Sequence, residues 1–209
     1  IGKALTAAGS VLADENGRVV DGDQLIAAIS DHWAEAGTLK GGGIVATVMS
    51  NLGLERHLAS KGLELVRTQV GDRYVVEHMR QHGFNVGGEQ SGHIIFSDYL
   101  FTGDGLATSL NVLRAIVTTG RELVDLASEL NPRPQVLLNV PVKRKVQLHE
   151  IPEITAVITG VESKLGRNGR LLIRYSGTEP LLRIMLESSD QQEIQKWGKE
   201  IAAVVQRYL

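Results

Sequence analysis

The 209-residue sequence contains no cysteine. Disulfide cross-links and thiolate metal sites are therefore excluded, which suits a reducing cytoplasm. Long hydrophobic runs are also missing. No stretch approaches the ~18 residues that span a bilayer, and the N-terminus lacks an apolar core of the length a secretory signal needs. A cytoplasmic location is expected, with no membrane partner. Nor does one sign of charge dominate, since 22 Lys and Arg against 24 Asp and Glu leave a formal charge of −2. That balance argues against a nucleic-acid or anionic-membrane surface, and no Lys/Arg run points the other way. Internal repeats and low-complexity segments are absent. What remains, 43% hydrophobic and 22% charged residues, is an ordinary globular composition, long enough for one large or two small domains.

The predicted fold class is α/β: an α/β layered domain with a mixed sheet, followed by a smaller α+β domain with an antiparallel sheet and helices on one face. Residues 1–10 are small and weakly patterned, either an ordered start or a remnant. Asn16-Gly17 between short apolar runs is a hairpin signal. A helix is predicted over Leu25 to Ala36, with Leu25, Ile29 and Trp33 on one face. From Gly41 to about Leu130, strands at Ile44 to Met49 and Leu63 to Gln69 alternate with helices at Gly53 to Ala59 and Asp72 to His82. Thr102-Gly103-Asp104-Gly105 then opens the longest helix of this region, with Leu106, Leu110, Leu113 and Val117 at helical spacing, and a further helix covers Glu122 to Leu130. Asn131-Pro132-Arg133-Pro134 is the clearest linker, because its prolines break any helix and force an extended path. Beyond it Val136, Leu138, Val140 and Val142 alternate as a strand. Ile154, Val157, Val161 and Leu165 form one helix face, and Ile194, Trp197, Ile201, Val204 and Tyr208 another, with Asp190 and Glu193 as a capping box.

The stretch with most chemistry is Leu171 to Glu187, LLIRYSGTEPLLRIMLE. Two apolar strands flank Ser176-Gly177-Thr178-Glu179-Pro180, with Arg174 before the loop and Arg183 after it. Gly177 would let the backbone turn its N–H groups inward, Ser176 and Thr178 would add hydroxyl donors, and two guanidinium groups can meet phosphate oxygens in a bidentate way. Alternation puts Leu182, Ile184 and Leu186 on one face and Arg183 on the other. A second candidate is Gly87-Gly88-Glu89-Gln90-Ser91-Gly92-His93. A carboxylate accepts from two neighbouring sugar hydroxyls at once, and Glu89, Ser91 and His93 crowd three polar groups into a glycine-rich loop. Asp72-Arg73 opens a helix, where the acid suits the positive dipole end. Asp21-Gly22-Asp23 imitates a metal loop, but a helix cap explains it better. His78 and His82 have Met79 where a zinc protease needs glutamate. Gly41-Gly42-Gly43 precedes its strand, which rules out a dinucleotide fingerprint.

RYSGTEPLLRIM resembles the phosphate-binding loop of the α-D-phosphohexomutases, and GEQSGH resembles their sugar-binding loop. TVMSNLGLE, VGDRYVVEHM and TGDGLATSLNVL follow in the order and spacing of the branch acting on glucosamine phosphate, and the resemblance runs from about Asp14 to the C-terminus. It implies substrate binding by Glu89, Ser91 and His93, with Arg73 in the cleft wall, and phosphate binding by Arg174, Ser176, Gly177, Thr178 and Arg183. Residues 1–40 would be a remnant of the family's second domain, 41–131 its sugar-binding third domain and 135–209 its phosphate-binding fourth. The family moves a phosphoryl group between two positions of a sugar phosphate, with a phosphoserine donor, a bisphosphate intermediate and Mg2+ on an aspartate-rich DGDGDR-like loop. Counting back from Val20-Asp21-Gly22-Asp23-Gln24, those aspartates would fall near Ala4 to Gly9, where the sequence reads ALTAAG. No catalytic residue and no metal ligand is therefore expected in this chain, and Mg2+ belongs to the parent enzyme.

Three readings follow: part of an amino-sugar phosphate mutase, part of a mannose or glucose phosphate mutase, or a non-catalytic phosphosugar-binding module. Gln90 resembles the first branch. The partner in each is a small phosphosugar; a homodimer is compatible, though no interface is legible. The purified 209-residue chain should show no mutase turnover, and magnesium-dependent conversion of glucosamine 6-phosphate by it would overturn that expectation.

Overall fold

In a computed structural model, residues 3–5 and 10–209 are described. Of the N-terminal segment whose order was left open, residues 1–2 and 6–9 lie outside the described residues, and with them most of the Ala4 to Gly9 stretch aligned with the metal loop. The chain divides into two compact units, Ile1–Pro132 and Arg133–Leu209, so the linker at Asn131 to Pro134 falls at the division.

The first unit begins with a small antiparallel sheet, β1 (Lys3–Leu5), β2 (Ser10–Ala13) and β3 (Val19–Val20), in which Asn16 and Gly17 form the turn between β2 and β3. Helix α1 (Gly22–Glu35) starts at a full capping box. Asp21 Oδ1 accepts from the Gln24 N–H at 3.0 Å and Gln24 Oε1 from the Asp21 N–H at 3.2 Å, so two N–H groups that the helix leaves orphaned are satisfied reciprocally. A four-stranded mixed sheet follows. Strand β4 (Gly43–Thr47) is linked through α2 (Leu52–Ser60) to its parallel neighbour β5 (Glu64–Thr68). Helix α3 (Asp72–His82) leads to β6 (Val86–Gly88), parallel to β4, and β7 (Ile94–Phe96) closes the sheet antiparallel to β6, in the order β5-β4-β6-β7. Helix α3 ends at Gly83 in the left-handed region, φ 75°, as its sequence implies.

Helices α4 (Gly105–Thr119) and α5 (Leu123–Ser128) complete the unit. Its main core joins Leu12, Leu25, Ile29 and Trp33 to Ile44, Leu58, Val86 and Phe96. Where the sequence suggested a division at residues 40 and 41, α1 and β4 share one core. On the other side of the sheet Val75, Met79 and Phe84 pack on Val45 and Ile95, so α3 covers that face. Helix α4 differs from simple periodicity: Leu106, Leu110 and Val117 are exposed, while Thr108, Ser109, Asn111, Val112 and Ala115 are buried. The buried polar groups are satisfied locally, as when the Ser109 hydroxyl donates to the Gly105 carbonyl at 2.9 Å. That satisfaction lets a small polar face pack inward.

The second unit runs β8 (Gln135–Pro141), a short 3-10 turn, α6 (Pro152–Leu165), β9 (Arg170–Tyr175), β10 (Leu181–Glu187) and α7 (Gln191–Tyr208). Its sheet is antiparallel in the order β8-β10-β9. Leu182, Ile184 and Leu186 are fully buried against Ile154 and Val161 of α6 and Ile194 and Ile201 of α7, so both helices lie on one face. Val205, rather than Val204, is the fully buried position near the end of α7. Asp190 caps α7 by accepting from the Gln192 and Glu193 N–H groups. The reciprocal half of the expected capping box is replaced, since the Asp190 N–H donates to Ser188 Oγ. No helix of the described residues is long and apolar enough to cross a membrane.

Asp23, in the first turn of α1, is fully buried, and its Oδ2 accepts from the Asn51 N–H at 2.7 Å. Burial pushes its carboxyl up to about 7, against the lowering pull of Asn51, Ser50 and Arg67 and with a further push from Asp21. The folded state then holds this proton to higher pH than the unfolded chain does, so the group's stabilising contribution is complete below 3.8 and is lost as pH rises through about 7. Asp23→Asn should therefore flatten the fall in stability between those values, measured by urea unfolding across the pH range.

Candidate functional site

Strand β6 delivers the chain into the Glu89-Gln90-Ser91-Gly92 turn, and β7 takes it away. The turn closes through the Glu89 N–H to the His93 carbonyl, 2.9 Å, and the Gly92 N–H to the Glu89 carbonyl, 3.0 Å. Both carboxylate oxygens of Glu89 are engaged. Oε1 accepts from the Gly71 N–H at 3.0 Å and Oε2 from the Ser91 hydroxyl at 3.3 Å. Gly71, at φ 127°, immediately precedes α3, a backbone conformation that favours glycine. Ser91 Oγ also lies 3.0 Å from His93 Nδ1. A hydroxyl has one proton; once it is given to the carboxylate, Ser91 can only accept from Nδ1–H, which leaves Nε2 of a neutral imidazole as an acceptor. Glu89, Ser91 and His93 thus form one chain of hydrogen bonds ending in acceptor groups, a fit for sugar hydroxyls. The expected trio is brought together.

Arg73 is placed elsewhere. It lies on the exposed side of α3 and lines a cleft of about 560 Å³ with Arg80, Phe101 and Thr102, not with Glu89, Ser91 or His93. Arg80 itself stacks over Phe101, 4.2 Å from the ring centroid.

In the second unit β9 and β10 set Arg174 and Arg183 directly opposite one another in register. Like charges so paired repel across a ladder. Burial and the neighbouring Arg183 charge hold Arg174 below the usual arginine range. The Nε of Arg183 is buried with no hydrogen-bond partner among the described residues. Its Nη2 donates to Glu179 Oε2 at 3.0 Å, and the Ser176 hydroxyl donates to the same oxygen at 3.4 Å. Glu179 therefore meets, from within the loop, the donors that a phosphate would meet. Thr178 is exposed, and Ser176 is buried. Gly177 departs from expectation: its φ lies outside the left-handed region and an added Cβ would meet nothing within 4 Å. The turn itself does not require glycine there, and the space beside it is open. Two groups escaped sequence reasoning. Lys145 Nζ donates to the Ser176 carbonyl at 2.6 Å, and the basic triplet Lys143-Arg144-Lys145 was its available signal. Glu179 was read only as part of the loop.

One Asp/His/Glu group comes together among the described residues: Asp31, His57 and Glu129. Asp31 Oδ2 lies 2.8 Å from His57 Nε2 and 3.0 Å from Lys61 Nζ, Lys61 reaches Glu129 at 3.2 Å, and Arg121 pairs with Glu129. Burial pushes Asp31 up, but His57 and Lys61 outweigh it and hold it below the usual range. Two fixed cations already balance two carboxylates, so this donor set does not fit Mg2+, which takes oxygen ligands with its own charge to be met. His78 and His82 stack at 4.0 Å in place of any metal geometry.

The sequence comparisons assign this two-unit arrangement to a family. Residues 21–133 match the phosphoglucomutase/phosphomannomutase alpha/beta/alpha domain III and residues 137–204 the C-terminal domain of the same proteins. The chain belongs to the phosphoglucomutase/phosphomannomutase family. It is 54% identical over 195 residues to the phosphoglucosamine mutases of Rhizobium johnstonii and of Agrobacterium fabrum, matches that take in 93% of this chain and 43% of each relative. The chain thus spans less than half the length of these relatives. Among solved structures it resembles the N-acetylphosphoglucosamine mutase of Aspergillus fumigatus, with a TM-score of 0.79 and 21% identity over 95% of this chain and 46% of that one. A structure of that fungal enzyme in complex with GlcNAc-6P and magnesium gives a TM-score of 0.77 at 22% identity over 95% of this chain and 50% of that one. At such identity the likeness speaks for the fold.

Arg174→Ala or Arg183→Ala should weaken phosphosugar binding by about 1.5–3 kcal/mol, the usual worth of a hydrogen bond to a charged group, without loss of fold. Titration calorimetry with circular dichroism measures both, and unchanged affinity in the two variants removes the expectation of phosphate binding at this loop.

Proposed function

We propose that the chain is the sugar- and phosphate-gripping part of a phosphoglucosamine mutase, whose parent enzyme interconverts glucosamine 6-phosphate and glucosamine 1-phosphate through a phosphoserine and a bisphosphate intermediate. The observation that carries this reading is the cross-strand pair Arg174 and Arg183, with the Arg183 Nε buried and unsatisfied. Two opposed guanidinium groups are a costly arrangement unless an anion joins them. Phosphate oxygens would take these donors and the Ser176 and Thr178 hydroxyls, displacing the Glu179 carboxylate. The open space at Gly177 would let the phosphate approach the main chain. In the first unit Glu89 and His93 would accept from the sugar hydroxyls, with Ser91 fixing both, and Arg73 would contribute as a more distant contact.

The chemical step belongs to groups outside this set. Mg2+, where the parent binds it, would neutralise phosphoryl charge during transfer, and the Asp31, His57 and Glu129 group, already balanced by Lys61 and Arg121, does not fit it. What these residues do is hold the phosphosugar and read its hydroxyls, so that binding is spent on orientation. The 54% identity to two phosphoglucosamine mutases and Gln90 between Glu89 and Ser91 favour the amino sugar over mannose or glucose.

Calorimetric titration of the chain with the 6-phosphates of glucosamine, mannose and glucose, and with inorganic phosphate, tests this reading. Glucosamine 6-phosphate should bind most tightly. Tighter binding of mannose or glucose 6-phosphate would reassign the sugar, and equal affinity for all four ligands would remove the sugar loop from recognition.

A further inference from the structure

Asp21-Gly22-Asp23, a helix cap by its sequence, has a second contact that only the tertiary structure reveals. The Gly22 N–H donates to the carbonyl of Gln90 at 2.9 Å. A Cβ at position 22 would stand 2.3 Å from the Glu89 carbonyl oxygen, 2.6 Å from that of Gln90 and 2.7 Å from the Gly92 nitrogen. All three are main-chain atoms, which no rotamer change can move aside. The φ of Gly22 lies outside the left-handed region, so turn geometry does not demand glycine. The approach of the loop does.

Which side would yield to a larger residue is decided by what holds each. The first turn of α1 is fixed by the Asp21–Gln24 capping box, by buried Asp23 on the Asn51 N–H, and by Gln24 Nε2, which donates to the Ala127 carbonyl at 3.2 Å. The loop, by contrast, is a four-residue turn closed on itself, with its Ser91 exposed. Crowding at position 22 is therefore relieved by lifting the loop. Lifting carries the Glu89 carboxylate away from the Gly71 N–H and strains the hydrogen-bond chain to Ser91 and His93.

We propose that Gly22 is a positioning residue for sugar recognition: by letting α1 dock directly on the loop's main chain, it sets where Glu89, Ser91 and His93 stand. This inference rests on the sugar-binding reading of that loop. A displacement of about 1 Å in such a set is enough to degrade binding, since polar recognition needs groups held within about half an ångström.

In the full 209-residue chain, Gly22→Ala should lower the affinity for glucosamine 6-phosphate by about tenfold, the scale of one charge-assisted hydrogen bond. Affinity for inorganic phosphate, whose donors lie in the second unit, should stay as in the wild type. Equal affinities for glucosamine 6-phosphate in wild type and variant, or equal losses for both ligands, would overturn the proposal. A wild type that binds the two ligands alike retires the sugar-loop reading itself, and this proposal with it. Amide hydrogen exchange on the wild type covers the case of a variant that does not fold. Saturating glucosamine 6-phosphate should slow exchange at the Gly22 N–H together with Glu89 and Gly92, and slowing at the loop without Gly22 counts against the role.

Discussion

Between the first turn of α1 and the carbonyls of Glu89 and Gln90 there is no room for a methyl group. Much of the first unit follows from that approach. The helix start is held from several sides: Asp21 and Gln24 cap it, Asp23 turns inward to the Asn51 N–H at the head of α2, and the Gly22 N–H donates to the Gln90 carbonyl. Three consecutive residues thus tie one helix to itself, to a second helix and to a loop. With the helix start held, the loop above it is confined, and the Glu89 carboxylate can be aimed by just two donors, the Gly71 N–H and the Ser91 hydroxyl. Preorganisation of this kind reduces the ordering left to be done when a ligand arrives.

The second unit reaches a similar end by a different route. Its apolar alternation, Leu182, Ile184 and Leu186 against α6 and α7, fixes the register of β10, and the register puts Arg183 opposite Arg174. The repulsion is tolerated because the rest of the strand pair is over-determined by burial. Within the loop, Glu179 and Ser176 gather around the Arg183 guanidinium, and Lys145 adds a further positive charge at the Ser176 carbonyl. Donors and positive charge are thereby concentrated at one loop of the unit.

Sequence carried the local features well. Helix α3 begins at Asp72 and stops before Gly83 as expected, because both signals are contained in neighbouring residues. The two arginines flanking the loop, and the face that carries Arg183, were likewise legible from alternation, whereas their direct opposition came only with the strand register. Periodicity misled at α4, where Leu106, Leu110 and Val117 share a stripe that faces outward while Ser109 and Asn111 are buried. A 3.6-residue repeat shows that side chains share a face; it does not say which face is covered. The part of Gly22 was illegible for a related reason: Gln90 is far along the chain, and close backbone approach leaves no trace in either local sequence. Asp23 was legible only as part of a helix cap, and its burial depended on where α2 came to lie.

The strand order β8-β10-β9 has a mechanical meaning for the arginine pair. Arg183 lies on the central strand, laddered on both sides, whereas Arg174 lies on β9, which among the described residues forms a ladder with β10 alone. One guanidinium is mounted at the centre of the sheet and the other on its margin, so the two sides of the pair are anchored by unequal numbers of backbone ladders.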